Sequence, residues 1–132
     1  MVAAFRSHTG ASRRLLRLVP QRHFQLVATP ALYLEYEAVL TRPEQVAAHG
    51  VSPPRVDQFL LYLATFTEKA RIHRGYRPQL RDPNDEMVLE AAVNGNADAI
   101  VTFNVRDFLP GAGNFSVEVL TPGFILKERL KL

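Results

Sequence analysis

The chain contains no cysteine, which excludes disulfides and thiolate metal sites. Any bound metal must be held by oxygen or by the four histidines. A chain without thiols fits a reducing compartment, and the expected location is the cytoplasm. No stretch approaches the ~20 consecutive apolar residues that cross a bilayer. The opening Met1-Val2-Ala3-Ala4-Phe5-Arg6 has too short an apolar run for a secretory signal. A soluble protein with no membrane partner is expected. Internal repeats and low-complexity segments are absent, as are a P-loop and a Gly-x-Gly-x-x-Gly turn. Serine, histidine and aspartate all occur, but never in a local nucleophile motif.

What is present suits a single domain over residues 1–132, because 47% of the residues are hydrophobic and can bury a core. The formal charge is +3, with Arg13, Arg14, Arg17 and Arg22 near the start. Such a balance permits an anionic partner such as nucleic acid, and equally describes a solvated helix face.

The apolar pattern alternates between helix and strand periods. Ser12 as N-cap and Pro20 as stop frame a helix carrying Leu15, Leu16, Leu18 and Val19. Phe24 to Ala28 reads as a buried strand. Thr29 caps a helix with Pro30 at its first position, running to Leu40. Pro43 to His49 forms a short helix ended by Gly50. Ser52-Pro53-Pro54 opens another, with Val56, Phe59, Leu60, Leu63 and Phe66 at helical spacing. A short strand is expected from Lys69 to His73. Asp82-Pro83-Asn84-Asp85 leads a helix to Val93, ended by Asn94-Gly95. Ala99 to Thr102 and Val117 to Leu120 read as parallel strands, and Pro122 starts a last helix. This order predicts an α/β fold with a parallel sheet between helical layers. Ligands in such folds sit beyond the carboxyl ends of strands, here after Ala28, His73 and Thr102.

Carboxylates fall near those places. On the helix after Ala28, the stripe Leu32, Tyr36, Val39 and Leu40 centres near Tyr36. That puts Glu35 roughly 80° and Glu37 roughly 120° from the centre of the buried face. Asp85 shares a face with Val88, Leu89 and Ala92 and stands in the first helical turn, where it could be a capping-box acid, a metal ligand or both. Asn104 and Asp107 follow the strand ending in Thr102, where an ordinary turn is the alternative. Carboxylates converging from separate elements repel, and a divalent cation relieves that repulsion. Mg²⁺ and Mn²⁺ favour oxygen ligands and promote phosphodiester hydrolysis.

At these residues the chain resembles the PIN domain family, most closely the branch of toxin components from toxin–antitoxin pairs. The matching segments are Gly10-Ala11-Ser12-Arg13-Arg14-Leu15-Leu16, Thr29-Pro30-Ala31-Leu32-Tyr33-Leu34-Glu35, Arg81-Asp82-Pro83-Asn84-Asp85 running into Ala91-Ala92, Ala97-Asp98-Ala99-Ile100-Val101-Thr102, and Leu120-Thr121-Pro122-Gly123-Phe124-Ile125-Leu126. The resemblance implies a three-layer α/β/α fold and a ribonuclease dependent on Mg²⁺ or Mn²⁺. It assigns catalysis to Glu35, Asp85 and Asp107, and metal binding to these three with Asn104. Arg13, Arg14, Arg106 and Thr102 are the candidate RNA contacts. RNA, an antitoxin protein and a second copy of the chain are the implied partners.

Two departures stand out. Asn104 occupies a place where the family usually has aspartate. The family also opens with a hydrophobic strand ending in an acid, whereas Met1 to Phe5 resembles the helix that follows it. The expectation is a sheet lacking that first strand, with edges that are filled or paired by another molecule, and weak metal binding. The alternative function is a non-catalytic module that binds RNA or a protein partner. A small α/β protein of another kind, whose acids are only caps and surface charges, is the third possibility.

Overall fold

The computed structural model describes residues 1–7, 10–72 and 79–131. Helices α1 (Val2–Arg6) and α2 (Ala11–Leu18) come first, followed by strand β1 (Leu26–Ala28). Three helices follow, α3 (Pro30–Leu40), α4 (Pro43–His49) and α5 (Pro53–Ala64), and then β2 (Thr67–Lys69). The second part contains α6 (Pro83–Asn94), β3 (Ala99–Val101), α7 (Val105–Ala112), β4 (Glu118–Leu120) and α8 (Pro122–Phe124), which continues as a π-helical turn over Ile125–Arg129. Among the described residues no helix is long and apolar enough to cross a membrane.

The strands form two parallel pairs rather than one sheet. Leu26, Val27 and Ala28 pair with Thr67, Glu68 and Lys69, and Ala99, Ile100 and Val101 pair with Glu118, Val119 and Leu120. Helix α6 packs against both β1 and β3, yet β1 and β3 do not pair with each other. Composition follows this arrangement. β1 and β3 carry no charge, as interior strands of parallel sheets do, whereas β2 and β4 carry Glu68, Lys69 and Glu118.

Most predicted elements are present, with shifted ends. Gly10, not Ser12, is the N-cap of α2, because Arg14 N–H already donates to Gly10 O at 3.1 Å. The α-helix ends at Leu18, ahead of Pro20 as expected, and Pro20 lies in a 3-10 turn, Val19–Gln21, that exits through Arg22 at φ 59°. Strand β1 begins at Leu26 rather than Phe24. Just before it, the Gln25 side-chain amide donates to Phe66 O at 2.7 Å in place of a backbone rung. Phe66 is not on α5: the chain tightens there, with Thr65 N–H donating to Tyr62 O and Phe66 N–H to Leu63 O, and the Thr65 and Thr67 hydroxyls donate to the same two carbonyls. That frees Thr67 to start β2, two residues earlier than Lys69, and its last rung is Ala70 N–H to Ala28 O at 2.9 Å. His73 lies outside the described residues. Helix α7 was not expected, because the residues after Thr102, through Asp107, read as a turn. The close approach of the Leu80 and Leu89 side chains explains Gly111, since a Cβ there would lie 2.7 and 3.0 Å from their methyl groups.

Three apolar clusters hold these elements. Phe5, Leu40, Val56 and Leu60 join α1, α3 and α5. Leu89, Ala92, Ile100, Phe108, Ala112 and Val117 join α6, β3 and α7. Ala28, Leu32 and Ala91 link them through α3 and α6. Burying a leucine such as Leu40 contributes about 1.5–3 kcal/mol each.

Candidate metal centre

The start of α6 is fixed locally. Asp82 is its N-cap and accepts from Asn84 N–H at 2.8 Å, and Pro83 supplies a preset first residue. Asp85 therefore falls in the first turn, half-buried. Its carboxyl is held above its ordinary value, first by burial, then by the negative charges of Asp82 and Asp107. The acids on α6 and α7 thus sense one another across two elements.

The turn after β3 brings Asp107 there. Thr102 N–H still donates to Leu120 O at 2.9 Å, so the pairing with β4 extends one residue past β3. Thr102 Oγ1 then accepts from Asn104 N–H at 3.0 Å and bends the chain. Asn104 stands at the N-cap position of α7 without a side-chain capping bond. Asp107 N–H donates to Asn104 O at 3.1 Å, which sets Asp107 in the first turn. Thr102 thus has a clear role in shaping this loop.

Glu35 comes from a third element, α3. It is half-buried on α3, while Glu37 is exposed, as the helical geometry predicted. Helix α3 packs on α6 through Leu32 and Tyr36, against Met87, Val88 and Ala91. Burial and the neighbouring Tyr33 push Tyr36 up to about 12. The charges that raise the Asp85 carboxyl are those of Asp82 and Asp107. Among the described residues no group of three His, Asp or Glu side chains stands ready to hold one metal ion. The donors brought together therefore fall short of a complete divalent-metal site.

Histidine does not fill the gap at His49, which is buried and structural. Its Nδ1 accepts from Val51 N–H at 3.0 Å, so Nε2 carries the proton and donates to Leu40 O at 2.9 Å. Arg106 is exposed beside Asp107, whereas Arg13 and Arg14 are on α2, which packs on α1 and α8. Of the candidate RNA contacts, Arg106 therefore shares α7 with Asp107, whereas Arg13 and Arg14 stand on an element that carries none of the acids.

Sequence reasoning saw Asp82 only as a cap and overlooked Glu86 and Glu90, both buried on α6. A signal was present: from Met87 to Val93 the helix is apolar all round except Glu90, as expected of a helix covered on several sides.

The family model for the PIN domain matches residues 1–106, from α1 into the first turn of α7. That span includes Glu35, Asp85 and Asn104 and stops one residue before Asp107. No curated protein and no solved structure matches the chain. With most of its length covered by this match, and parallel strands packed among helices, the chain belongs to the PIN domain family.

Proposed function

We propose that the protein is a metal-dependent ribonuclease of the PIN family, acting as the toxin of a toxin–antitoxin pair, whose site is built on Asp85 and Asp107 with Glu35 and Asn104. The observation that carries this reading is Asp85, half-buried in the first turn of α6, on which the charges of Asp82 and Asp107 both act. Carboxylates gathered against their mutual repulsion are an arrangement that Mg²⁺ or Mn²⁺ would relieve. Since the described donors are incomplete, no hydrolytic step is assigned to them alone. An added strand between β1 and β3 would complete both features. It would pair two uncharged strands that have one partner each among the described residues, and an acid at its end would join Glu35, Asp85 and Asp107. RNA would be held by Arg106, with Arg13 and Arg14 as more distant phosphate contacts.

The test is RNA cleavage with Mn²⁺ or Mg²⁺, comparing this chain with a form extended at its N-terminus by a hydrophobic strand ending in aspartate. Cleavage by the extended form, lost in Glu35→Ala and Asp85→Ala, is the expected result. An extended form that stays fully active with either substitution removes the site assignment.

A second reading, a non-catalytic PIN module for RNA or a protein partner, is favoured by the incomplete donor set and by Asn104. An open apolar groove between α3 and α5, with Leu34 68% and Leu61 72% exposed, supports a protein partner, either an antitoxin or a second copy. Inactivity of both forms in the same assay would select this reading.

A further inference from the structure

Beside the candidate ligands, α6 buries an acid that none of the foregoing chemistry uses. Glu86 is only 4% exposed, which is rare for a carboxylate. One oxygen, Oε1, accepts two backbone N–H groups, from Gln79 at 2.6 Å and from Leu80 at 2.7 Å. The other, Oε2, is buried and has no hydrogen-bond partner among the described residues. An unpartnered oxygen on a buried carboxylate is costly, so the side chain must be held in place by what Oε1 does.

What Oε1 holds is in contact with α7. Leu80 packs in the cluster containing Phe108. A Cβ at Gly111 would lie 2.7 Å from Leu80 Cδ2 and 3.3 Å from Gln79 Cβ, so the segment and the helix touch closely. The Asn114 side-chain amide donates to Gln79 Oε1 at 3.1 Å just past the end of α7. Phe108 adjoins Asp107, and Glu86 adjoins Asp85.

We infer that Glu86 is a positioning residue: its carboxylate pins residues 79–80 to the start of α6 and, through Leu80 and Gln79, fixes α7 so that Asp85 and Asp107 keep their spacing. Apolar packing alone would set the same two helices together less specifically, because such contacts are non-directional, whereas a carboxylate accepting two N–H bonds fixes both distance and angle. The bearing of this role on catalysis rests on the acidic-cluster reading above; the positional role itself does not.

The absence of cysteine lets spin labels be placed cleanly at two exposed positions, Asn84→Cys on α6 and Arg106→Cys on α7. In Glu86→Ala the label-to-label distance is expected to shift or broaden. Amide hydrogen exchange at Gln79 and Leu80 should accelerate about 10-fold or more, the loss expected for a bond to a charged acceptor. Glu86→Gln keeps an acceptor oxygen and is expected to restore the distance and most of the protection. An unchanged distance in Glu86→Ala overturns the inference, as does a Glu86→Gln protein that behaves like Glu86→Ala. If Glu86→Ala does not fold, the unmodified protein still decides: unprotected amides at Gln79 and Leu80 would refute the two bonds. None of these measurements needs RNA or metal, so failure of the nuclease reading and failure of this one are separable.

Discussion

The two strand pairs are built alike and packed differently. Each is a parallel pair with an uncharged strand beside a charged one. Around β3–β4 the core is Leu89, Phe108, Ala112 and Val117, with a smaller recess of about 360 Å³ beside Val117. Beside β1–β2 an open cavity of about 600 Å³ remains, lined by Tyr33, Leu34, Leu60 and Leu61 among others. The acids are spread over the same elements, with Glu35 on α3, Asp107 on α7 and Asp85 on α6. Helix α6 is the element common to both, since it touches β1 and β3 and carries Asp85. The comparison teaches that the candidate site depends on how the halves are held together, not only on the residues within each.

The largest expected effect comes from emptying the core around α6. Leu89 is 2% exposed, and Leu89→Ala should cost about 2–5 kcal/mol in denaturant unfolding. The halves share α6, so one cooperative transition is expected. Leu40→Ala, at a fully buried position on the other side, should cost a similar amount, again in one transition. Two separated transitions in either variant would show that the halves are independent.

Gly95 tests the joint itself. Its φ of −91° is open to any residue, so space alone decides. A Cβ there would lie 2.3 Å from Val27 Cγ1, 2.9 Å from Ala91 O and 3.1 Å from Ala70 Cβ. The backbone oxygen cannot yield as a side-chain tip can. Gly95→Ala is expected to cost about 1–3 kcal/mol by overpacking, with chemical shifts moving in β1 more than in β4. A neutral effect would mean that β1 is not seated firmly on α6.

Much of this was legible in the sequence, for reasons that differ along the chain. The helices α3 to α6 each start with proline at the first position, and in α3 and α6 a capping side chain precedes it, so their starts were read correctly from local chemistry. Thr29, Asp82 and Gly50 act through neighbours within three or four residues. Strand ends were read less well because pairing is non-local: Gln25 reaches Phe66 across the chain and delays β1. Helix α7 was invisible because its stability comes from Phe108 and Ala112 packing on α6 rather than from a sequence containing Pro110 and Gly111. At the site, Asp85 could be placed from helical phase. Its coupling to Asp82 and Asp107, and the burial of Glu86, required the tertiary arrangement of two helices and a loop.

The helix caps sharpen the contrast at a smaller scale. Thr29 is buried, and its Oγ1 accepts from Leu32 N–H at 3.1 Å. Thr29→Ala should destabilise by about 1 kcal/mol. Asp82→Ala also removes a cap, but it removes a charge that repels Asp85 as well. Its net effect on the melting temperature should be smaller than that of Thr29→Ala at neutral pH. A larger loss for Asp82→Ala would show that capping outweighs repulsion at the start of α6.

The smallest expected effect is also the one that best separates a functional cluster from surface charge. Asp85 has its carboxyl raised above the ordinary value of 3.8, first by burial and then by Asp82 and Asp107. The folded protein therefore binds this proton more tightly than the unfolded chain does. The destabilisation is fully present above the raised folded value and fades as pH falls through it toward 3.8. Asp85→Asn should accordingly melt slightly higher than the unmodified protein at pH 7. The difference should shrink as the solution is acidified through that window, since protonated aspartate and asparagine are both neutral. A solvated acid would show neither the gain nor its loss, and a capping-box acid would show a decrease at neutral pH, because its bond to the Asp82 N–H would weaken. A gain at neutral pH, combined with loss of cleavage in an active form, would mark Asp85 as a residue whose placement costs stability for the sake of chemistry. A drop in melting temperature at pH 7 would return it to a structural role and leave Asp107 and Glu35 without their central partner.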